Sequence, residues 1–160
     1  MKQKIIMISL SWLAVLATII MILNFSFENA EESSDTSEGV IKDILEVVMP
    51  EEEITPTVIR KFQIPIRKIA HFGIYMLLGF CLSNAFKYSI SIKQIFIYVI
   101  AFGSLFSFSI IDEMIIQSLS DGRAPQFLDC LIDSSGGILG IIIYMLISHI
   151  TNKILKKNPS

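Results

Sequence analysis

From Leu128 to Ile150 the chain reads LDCLIDSSGGILGIIIYMLISHI, an apolar run that opens with two aspartates and carries spaced glycines. A run of about 20 mainly apolar residues is long enough to cross a bilayer as a helix. Inside the bilayer it has to be a helix, because no water is present to satisfy the backbone groups. Similar runs occur at Ile5–Phe27, Ile69–Phe86 and Ile92–Ile111. The sequence therefore predicts an all-α integral membrane protein with four transmembrane helices in a small bundle.

The composition agrees with this class. Of the 160 residues 52% are hydrophobic and 18% are charged, and the mean hydropathy is +0.64. Long apolar blocks of this kind argue against a soluble domain. Zinc-ligand spacing, a phosphate loop, a nucleophile elbow and a nucleic-acid signature are all absent from the sequence. We expect membrane lipids as partners, no nucleic acid, and two free buried thiols at Cys81 and Cys130.

The apolar runs divide the chain into four parts. Residues 1–27 form the first transmembrane helix, which is too long for a typical signal peptide and is predicted to be an uncleaved anchor. Residues 28–66 form an acidic, serine-rich extracytoplasmic loop with one short amphipathic helix. That helix is indicated by roughly helical spacing of Val40, Ile41, Ile44, Leu45, Val47 and Val48. Residues 67–150 hold the other three transmembrane helices, and residues 151–160 form a basic cytoplasmic tail.

Lysine and arginine near the ends of the runs predict the orientation. With the N-terminus inside, the cytoplasmic side receives seven of them and the outer side six. The short turn between Lys87 and Lys93 and the lysine-containing tail carry no acid, and all 15 acidic residues then lie outside. We predict a multi-pass protein of the cell membrane with both termini in the cytoplasm.

Residues three and four apart share one face of a helix. By this spacing, three of the helices each carry one stripe of residues that is too polar to face lipid. The stripes are Arg67, His71, Tyr75 and Gly79; Ser109, Glu113 and Gln117; and Asp129, Asp133, Gly136 and Gly140. All three are polar at the same end, so we predict that they converge in a cup open to the outside. Gly79, Gly136 and Gly140 are predicted to let helices pack closely.

Charged groups in a membrane bundle are costly unless they are paired or used. The predicted ligand-binding residues of the cup are Arg67, Lys68, His71, Tyr75, Glu113, Gln117, Arg123, Asp129 and Asp133. Arginine binds phosphate and sugar-phosphate groups well, and carboxylates with a histidine suit acid–base work or a divalent cation. The candidates for catalysis are His71, Asp112 and Glu113. No cofactor is expected from the sequence, and an ion-pair network that only fixes helix packing is the alternative.

The residues also resemble a known family. The run Arg67-Lys68-x-x-His71-Phe72-x-x-Tyr75-x-x-x-Gly79 is similar to the second-helix signature of VanZ-like membrane proteins. The family's second block is matched by Asp112-Glu113, Gln117, Gly122-Arg123, Asp129, Asp133, Gly136 and Gly140, and its serine-rich first-helix end by Phe25-Ser26-Phe27-Glu28. The resemblance implies a cell-envelope protein, since the founding member is linked to low-level resistance to the glycopeptide teicoplanin.

The chain departs from the family pattern at three places. Gln117 follows Asp112 by five residues, one more than the pattern has, so that Asp112 or Glu113 is the equivalent acid. Asp133 stands where asparagine is commoner, and Ser-Asp-Gly precedes Arg123 in place of an apolar residue, proline and glycine. These departures change the charge expected in the cup.

Three hypotheses of function follow. The first, which we prefer, is a non-enzymatic protein that binds an anionic or glycosylated lipid, such as a cell-wall precursor, at the outer leaflet. The second is an intramembrane lipid-headgroup hydrolase or transferase that uses His71 and Glu113. The third is a structural scaffold, in which the polar stripes only hold the bundle together.

Overall fold

The computed structural model describes residues 2–27, 39, 42–45, 47, 55–116 and 126–157. These residues form α1 (Lys2–Phe27), α2 (Pro56–Ser89), α3 (Gln94–Ile111), a π-helical turn π1 (Asp112–Ile116) and α4 (Phe127–Lys157). No strand occurs among them. Four segments are long and apolar enough to cross a membrane: Lys2–Phe27, Pro65–Ser89, Gln94–Ile116 and Phe127–Ile154. The prediction of an all-α protein with four membrane-spanning helices is confirmed.

Successive helices run in opposite directions, so the ends of α1 and π1 lie beside the starts of the α2 and α4 spans. We call this the site end, and the opposite end, where residues 90–93 join α2 to α3, the turn end. At the turn end α2 stops at Ile90, whose backbone is extended and whose N–H still donates to the carbonyl of Phe86 at 2.9 Å. With four spans, both chain termini lie on the same side.

All four helices contribute to one apolar core between the two ends. Its central side chains include Ile22 from α1, Leu78 from α2, Leu105 from α3 and Ile141 from α4. The buried positions of α1 are spaced by three or four residues, so α1 meets the bundle along one narrow seam: Ser11, Val15, Thr18, Ile22 and Ser26. The exposed faces of the helices are also apolar, which suits contact with lipid.

The second helix begins earlier than its apolar run. The sequence predicts that residues 56–66 belong to the outer loop, whereas the structure continues α2 back to Pro56. Proline suits this first helical position, because its fixed φ is helical and its missing N–H would have no helical partner there. Pro65 lies inside the helix and cannot donate to the carbonyl four residues earlier. Residues 56–64 of α2 thus precede the membrane-spanning segment, which begins at Pro65.

The described part of the first loop packs on this extension. Residues 39, 42–45 and 47 are helical, in agreement with the predicted short helix, whereas Val40, Ile41 and Val48 lie outside the described residues. Leu45 and Ile59 are both buried and pack together. Val47 is 81% exposed, so one face of this short helix contacts the protein and another does not.

The pairing of α2 with α4 is the most extensive in the bundle, and glycines allow it. A Cβ atom at Gly136 would overlap the carbonyl oxygen of Phe72, and one at Gly140 would overlap that of Met76. Conversely, a Cβ atom at Gly79 would overlap the carbonyl oxygen of Gly137. The two backbones therefore touch where the small residues Gly79, Gly136 and Gly140 were predicted to allow close packing.

Hydrogen bonds join three helices at the turn end. The Asn84 side chain donates to Ser11 Oγ at 2.9 Å and accepts from the hydroxyl of Tyr144 at 3.2 Å. The indole N–H of Trp12 donates to Ser89 Oγ at 2.9 Å. Asn84 on α2 thus bonds to both α1 and α4, a role that the sequence analysis missed.

A lysine completes the turn end. Lys87 Nζ donates to Ser148 Oγ at 2.6 Å and lies 5.6 Å from the centroid of the Tyr144 ring. A cation over an aromatic face is attracted by the ring quadrupole. This basic residue is therefore held between α2 and α4 by neutral partners.

Replacing Gly136 by alanine should destabilise the bundle, because the added methyl group meets backbone that cannot rotate away. Overpacking of this kind costs about 1–3 kcal/mol. Thermal unfolding in detergent, followed by circular dichroism, should show a lower melting temperature. Gly103→Ala is the matched control, since a Cβ there has nothing within 4 Å, and it should leave the melting temperature unchanged or raise it. Equal losses in both variants would contradict the close approach.

Replacing Asn84 by alanine should remove two interhelical hydrogen bonds. Such bonds in membrane proteins average about 0.6 kcal/mol each, so the melting temperature should fall less than in Gly136→Ala. Asn152→Ala, at an exposed position of α4, is the control and should behave as the wild type. A control that is as unstable as Asn84→Ala would refute the interhelical role.

Candidate functional site

The polar stripes of α2, α3 and α4 meet at the site end. One nitrogen of His71 and one oxygen each of Asp112 and Asp133 all lie within 4.8 Å of one another. Asp112 and Asp133 are completely buried, and His71 is 8% exposed. The three residues come from different elements, α2, π1 and α4, so the fold itself assembles this group.

A π-helical turn places two consecutive acids in the interior. Ser109 at the end of α3 is buried, and both Asp112 and Glu113 are buried after it. In an α-helix neighbouring residues point in directions about 100° apart, whereas the i→i+5 hydrogen bonds of a π-helical turn bring this angle below 100°. A π-helical turn accommodates one extra residue in a helix. The extra residue before Gln117, relative to the family pattern, is consistent with this π-helical turn. Asp112 and Glu113 both face the interior.

Asp112 is held by a tyrosine. The hydroxyl of Tyr75 donates to Asp112 Oδ2 at 2.9 Å. Tyr75 is fully buried, and its ring is nearly parallel to that of His71 with the centroids 6.4 Å apart. The other oxygen, Asp112 Oδ1, is buried and has no hydrogen-bond partner in the described part of the chain. Tyr75 therefore fixes the carboxylate and leaves one oxygen available.

Asp133 lies between a histidine and a serine. His71 Nδ1 is 3.7 Å from Asp133 Oδ1, which is longer than a hydrogen bond. Ser109 Oγ is 3.4 Å from both Asp133 Oδ2 and the carbonyl oxygen of Cys130, and its single hydrogen can serve only one of them. Asp133 Oδ1 and His71 Nε2 are buried and without a hydrogen-bond partner among the described residues.

Two further acids, Glu113 and Asp129, line the site. Glu113 Oε1 accepts the backbone N–H of Gln126 at 2.9 Å. Gln126 immediately precedes α4, so this carboxylate lies at the positive end of the helix dipole, where negative charge is stabilised. Asp129 forms an ion pair with Lys68. The side chain of Lys68 is 29% exposed and that of Asp129 is 17% exposed, so this pair is nearer to the surface than Asp133.

We call the opening between α2, π1 and α4 the polar cleft. It is lined by Arg67, Lys68, His71, Glu113, Asp129, Ile132 and Asp133. Its interior space is about 10 Å³, which is the room that one water-sized occupant needs. The inner part of the cleft can therefore hold one water or one ion, and a larger group can be bound only at the mouth.

The structure brings together all of the predicted site residues that it describes. Six line the polar cleft, and Tyr75 contacts Asp112 directly behind it. Gln117 and Arg123 lie outside the described residues. The sequence analysis did not assign Ile132 or Ser109 to the site, although Ser109 belongs to the polar stripe of α3. Cys81 and Cys130 are not joined by a disulfide.

Comparisons with known proteins give one match. No curated protein and no solved structure matches the chain. The sequence model of the VanZ/LLP1 family matches residues 11–148. This range contains every described residue of the polar cleft, the close contact of α2 with α4, and the hydrogen bonds of Asn84. The chain therefore belongs to the VanZ/LLP1 family of membrane proteins.

Proposed function

We propose that the protein is a non-enzymatic multi-pass protein of the cell membrane that binds the anionic or glycosylated headgroup of an envelope lipid. Binding takes place at the mouth of the polar cleft, on the outer leaflet. A cell-wall precursor lipid is the preferred class of ligand, and through it the protein affects susceptibility to glycopeptides such as teicoplanin.

One observation carries this proposal. Arg67 lines the polar cleft but has no ion-pair or hydrogen-bond partner in the described part of the chain, whereas its neighbour Lys68 is paired with Asp129. Arg67 is two residues from Pro65, where the candidate membrane span begins, and a long arginine side chain near a span end can reach the headgroup region. A guanidinium offers forked donors that match phosphate oxygens. The carboxylates beside it are acceptors for sugar hydroxyl groups.

The predicted orientation of the helices supports binding at the outer leaflet. The acidic residues lie outside if both termini are cytoplasmic, and the turn end then carries Lys87 and Lys93 on the cytoplasmic side. The positive-inside tendency favours this orientation, although arginine and lysine also stand at the site end. An anionic ligand bound by these basic residues would account for their position on the outer side, against the positive-inside tendency.

An accessibility experiment tests the orientation. Thr57 and Asn152 are exposed and lie towards opposite ends of the bundle. With Thr57→Cys, a membrane-impermeant maleimide should label the protein in intact cells. With Asn152→Cys, labelling should require permeabilised cells, and the unmodified chain corrects for reaction at Cys81 and Cys130. The reverse pattern would place the site end in the cytoplasm and would refute binding at the outer leaflet.

Lipid retention tests the role of Arg67. Native mass spectrometry of the purified protein should detect bound anionic lipid in the wild type and much less of it in Arg67→Ala. Hydrogen bonds to charged groups contribute about 1.5–3 kcal/mol, so the affinity should fall by about 10- to 100-fold. Arg123→Ala is examined in the same way because the sequence analysis places Arg123 in the site.

Lys153→Ala is the matched control for this experiment, since Lys153 is exposed on α4 far from the cleft. It removes the same charge and should retain lipid as the wild type does. Equal retention by wild type, Arg67→Ala and Arg123→Ala would overturn the proposed function.

A lipid-headgroup hydrolase or transferase is the second candidate. It is favoured by the presence of His71 and Glu113 along the same cleft, where an acid and a base could act on one bound group. His71→Gln and Glu113→Gln should then abolish the envelope phenotype while the protein accumulates normally. Full phenotype in both variants would exclude catalysis by these groups. A scaffold instead predicts that such charge-neutral replacements lower stability and accumulation together.

A further inference from the structure

Three buried atoms at the site end have unused lone pairs or an unused ring nitrogen. Asp112 Oδ1, Asp133 Oδ1 and His71 Nε2 have no hydrogen-bond partner in the described residues. Buried polar atoms are nearly always hydrogen-bonded, so each exception needs an explanation. They lie close together, and they belong to residue types that commonly bind metal ions. A ligand bound to Asp112, Asp133 and one nitrogen of His71 would give both carboxylate oxygens a partner.

From these positions we infer that His71, Asp112 and Asp133 bind a divalent transition-metal cation of the Zn²⁺ or Mn²⁺ class. This inference goes beyond the proposed lipid function and does not depend on it, because the ion lies behind the mouth where Arg67 stands.

The spacing of the groups fits an ion. The three ligand atoms lie within 4.8 Å of one another, and His71 Nδ1 is 3.7 Å from Asp133 Oδ1. Two ligands that are each about 2.1 Å from one tetrahedral metal ion are about 3.4 Å apart. The pair at 3.7 Å is close to this spacing, and the widest separation allowed within the group needs a closure of about 1.4 Å. The distance between histidine and aspartate is too long for a hydrogen bond but suits two ligands of one ion.

Neighbouring donors hold both carboxylates in a ligand orientation. Tyr75 donates to one oxygen of Asp112, and Ser109 lies 3.4 Å from one oxygen of Asp133. In each case the other oxygen is the one that lacks a partner. Metal-binding carboxylates are commonly fixed by such outer hydrogen bonds. Tyr75 and Ser109 are thus positioning residues and not ligands.

Charge also favours a dication. Asp112 and Asp133 are buried inside membrane-spanning segments, where an uncompensated charge is costly. Lys68 is engaged by Asp129, and neither Asp112 nor Asp133 forms an ion pair with lysine or arginine in the described ranges. One histidine can supply a single positive charge at most. A divalent ion compensates both carboxylates at once, and the polar cleft beside His71 and Asp133 has room for an occupant of that size.

The donor set selects the kind of metal. Calcium and magnesium prefer all-oxygen sites, whereas an imidazole with two carboxylates suits zinc, manganese or iron. The set supplies three protein ligands, so at least one coordination position remains for water or for a group at the cleft. Zinc and manganese are the probes of choice, since neither is oxidised during ordinary purification.

The experiment measures metal bound to the full-length protein in detergent. Protein stripped with a chelator is incubated with Zn²⁺ or Mn²⁺, separated from free metal by gel filtration and assayed by elemental mass spectrometry. The wild type should retain one ion per chain, and its melting temperature should rise with the metal. His71→Gln and Asp133→Asn should lose the ion and the thermal shift. Tyr75→Phe should weaken binding by about 10- to 100-fold without abolishing it.

Two exposed residues give matched controls. His149→Gln and Asp43→Asn remove the same chemical groups at exposed positions and should retain the ion as the wild type does. Circular dichroism establishes that each protein is helical before it is assayed. Folded wild type that retains no zinc or manganese would overturn the inference, whatever the variants do. Equal retention by wild type, His71→Gln and Asp133→Asn would also overturn it, because the metal would then be bound elsewhere.

The outcome is separable from that of the lipid experiment. Arg67→Ala should retain the ion, and His71→Gln should lose it. Loss of lipid binding in Arg67→Ala with the ion retained supports both proposals. If the wild type binds metal but no lipid, only the proposed function fails.

Discussion

The backbone contact between α2 and α4 is the constraint on which the rest of the structure depends. Carbonyl oxygens of Phe72 and Met76 lie against Gly136 and Gly140, where no side chain fits between the helices. His71 directly precedes Phe72 in the chain, and Asp133 is one helical turn before Gly136 and Gly137. Separating the helices by the width of a methyl group would therefore widen the 3.7 Å contact between His71 and Asp133. Glycines that make no polar contact set the geometry of the polar group.

Buried polar groups at the two ends of the bundle differ in whether they have hydrogen-bond partners. At the turn end Asn84 uses both ends of its amide, and Lys87 has a hydroxyl and an aromatic face as partners. At the site end buried atoms of His71, Asp112 and Asp133 have no hydrogen-bond partner within the described ranges. Satisfied groups are typical of a network that fixes helix packing. Unsatisfied carboxylate and imidazole groups that are gathered in one place are typical of a binding site.

Much of this arrangement follows from residue spacing. Steps of three and four residues predict the stripe through Arg67, His71 and Tyr75 and the close packing at Gly136 and Gly140, because a straight helix repeats at that interval. The inward turn of both Asp112 and Glu113 does not follow, since a single π-helical turn changes which face each residue occupies. The hydrogen bond between Asn84 and Ser11 of α1 does not follow from residue spacing either. It depends on which residue of α2 lies opposite Ser11: Ser11, Thr18 and Ser26 mark the buried seam of α1, but the sequence does not fix its partners.

The two proposed ligands would occupy different depths of the polar cleft, so the two proposals are compatible. An interior of about 10 Å³ has room for an ion but not for a phosphate group, so the proposed headgroup would bind at the mouth beside Arg67 and Lys68. A dication between His71, Asp112 and Asp133 would cancel the negative charge behind these basic residues. Because charges in a poorly hydrated site are weakly screened, that change would strengthen the attraction of the mouth for an anion. Binding of metal and of an anionic headgroup would then favour each other, and the coupling would be equal in both directions.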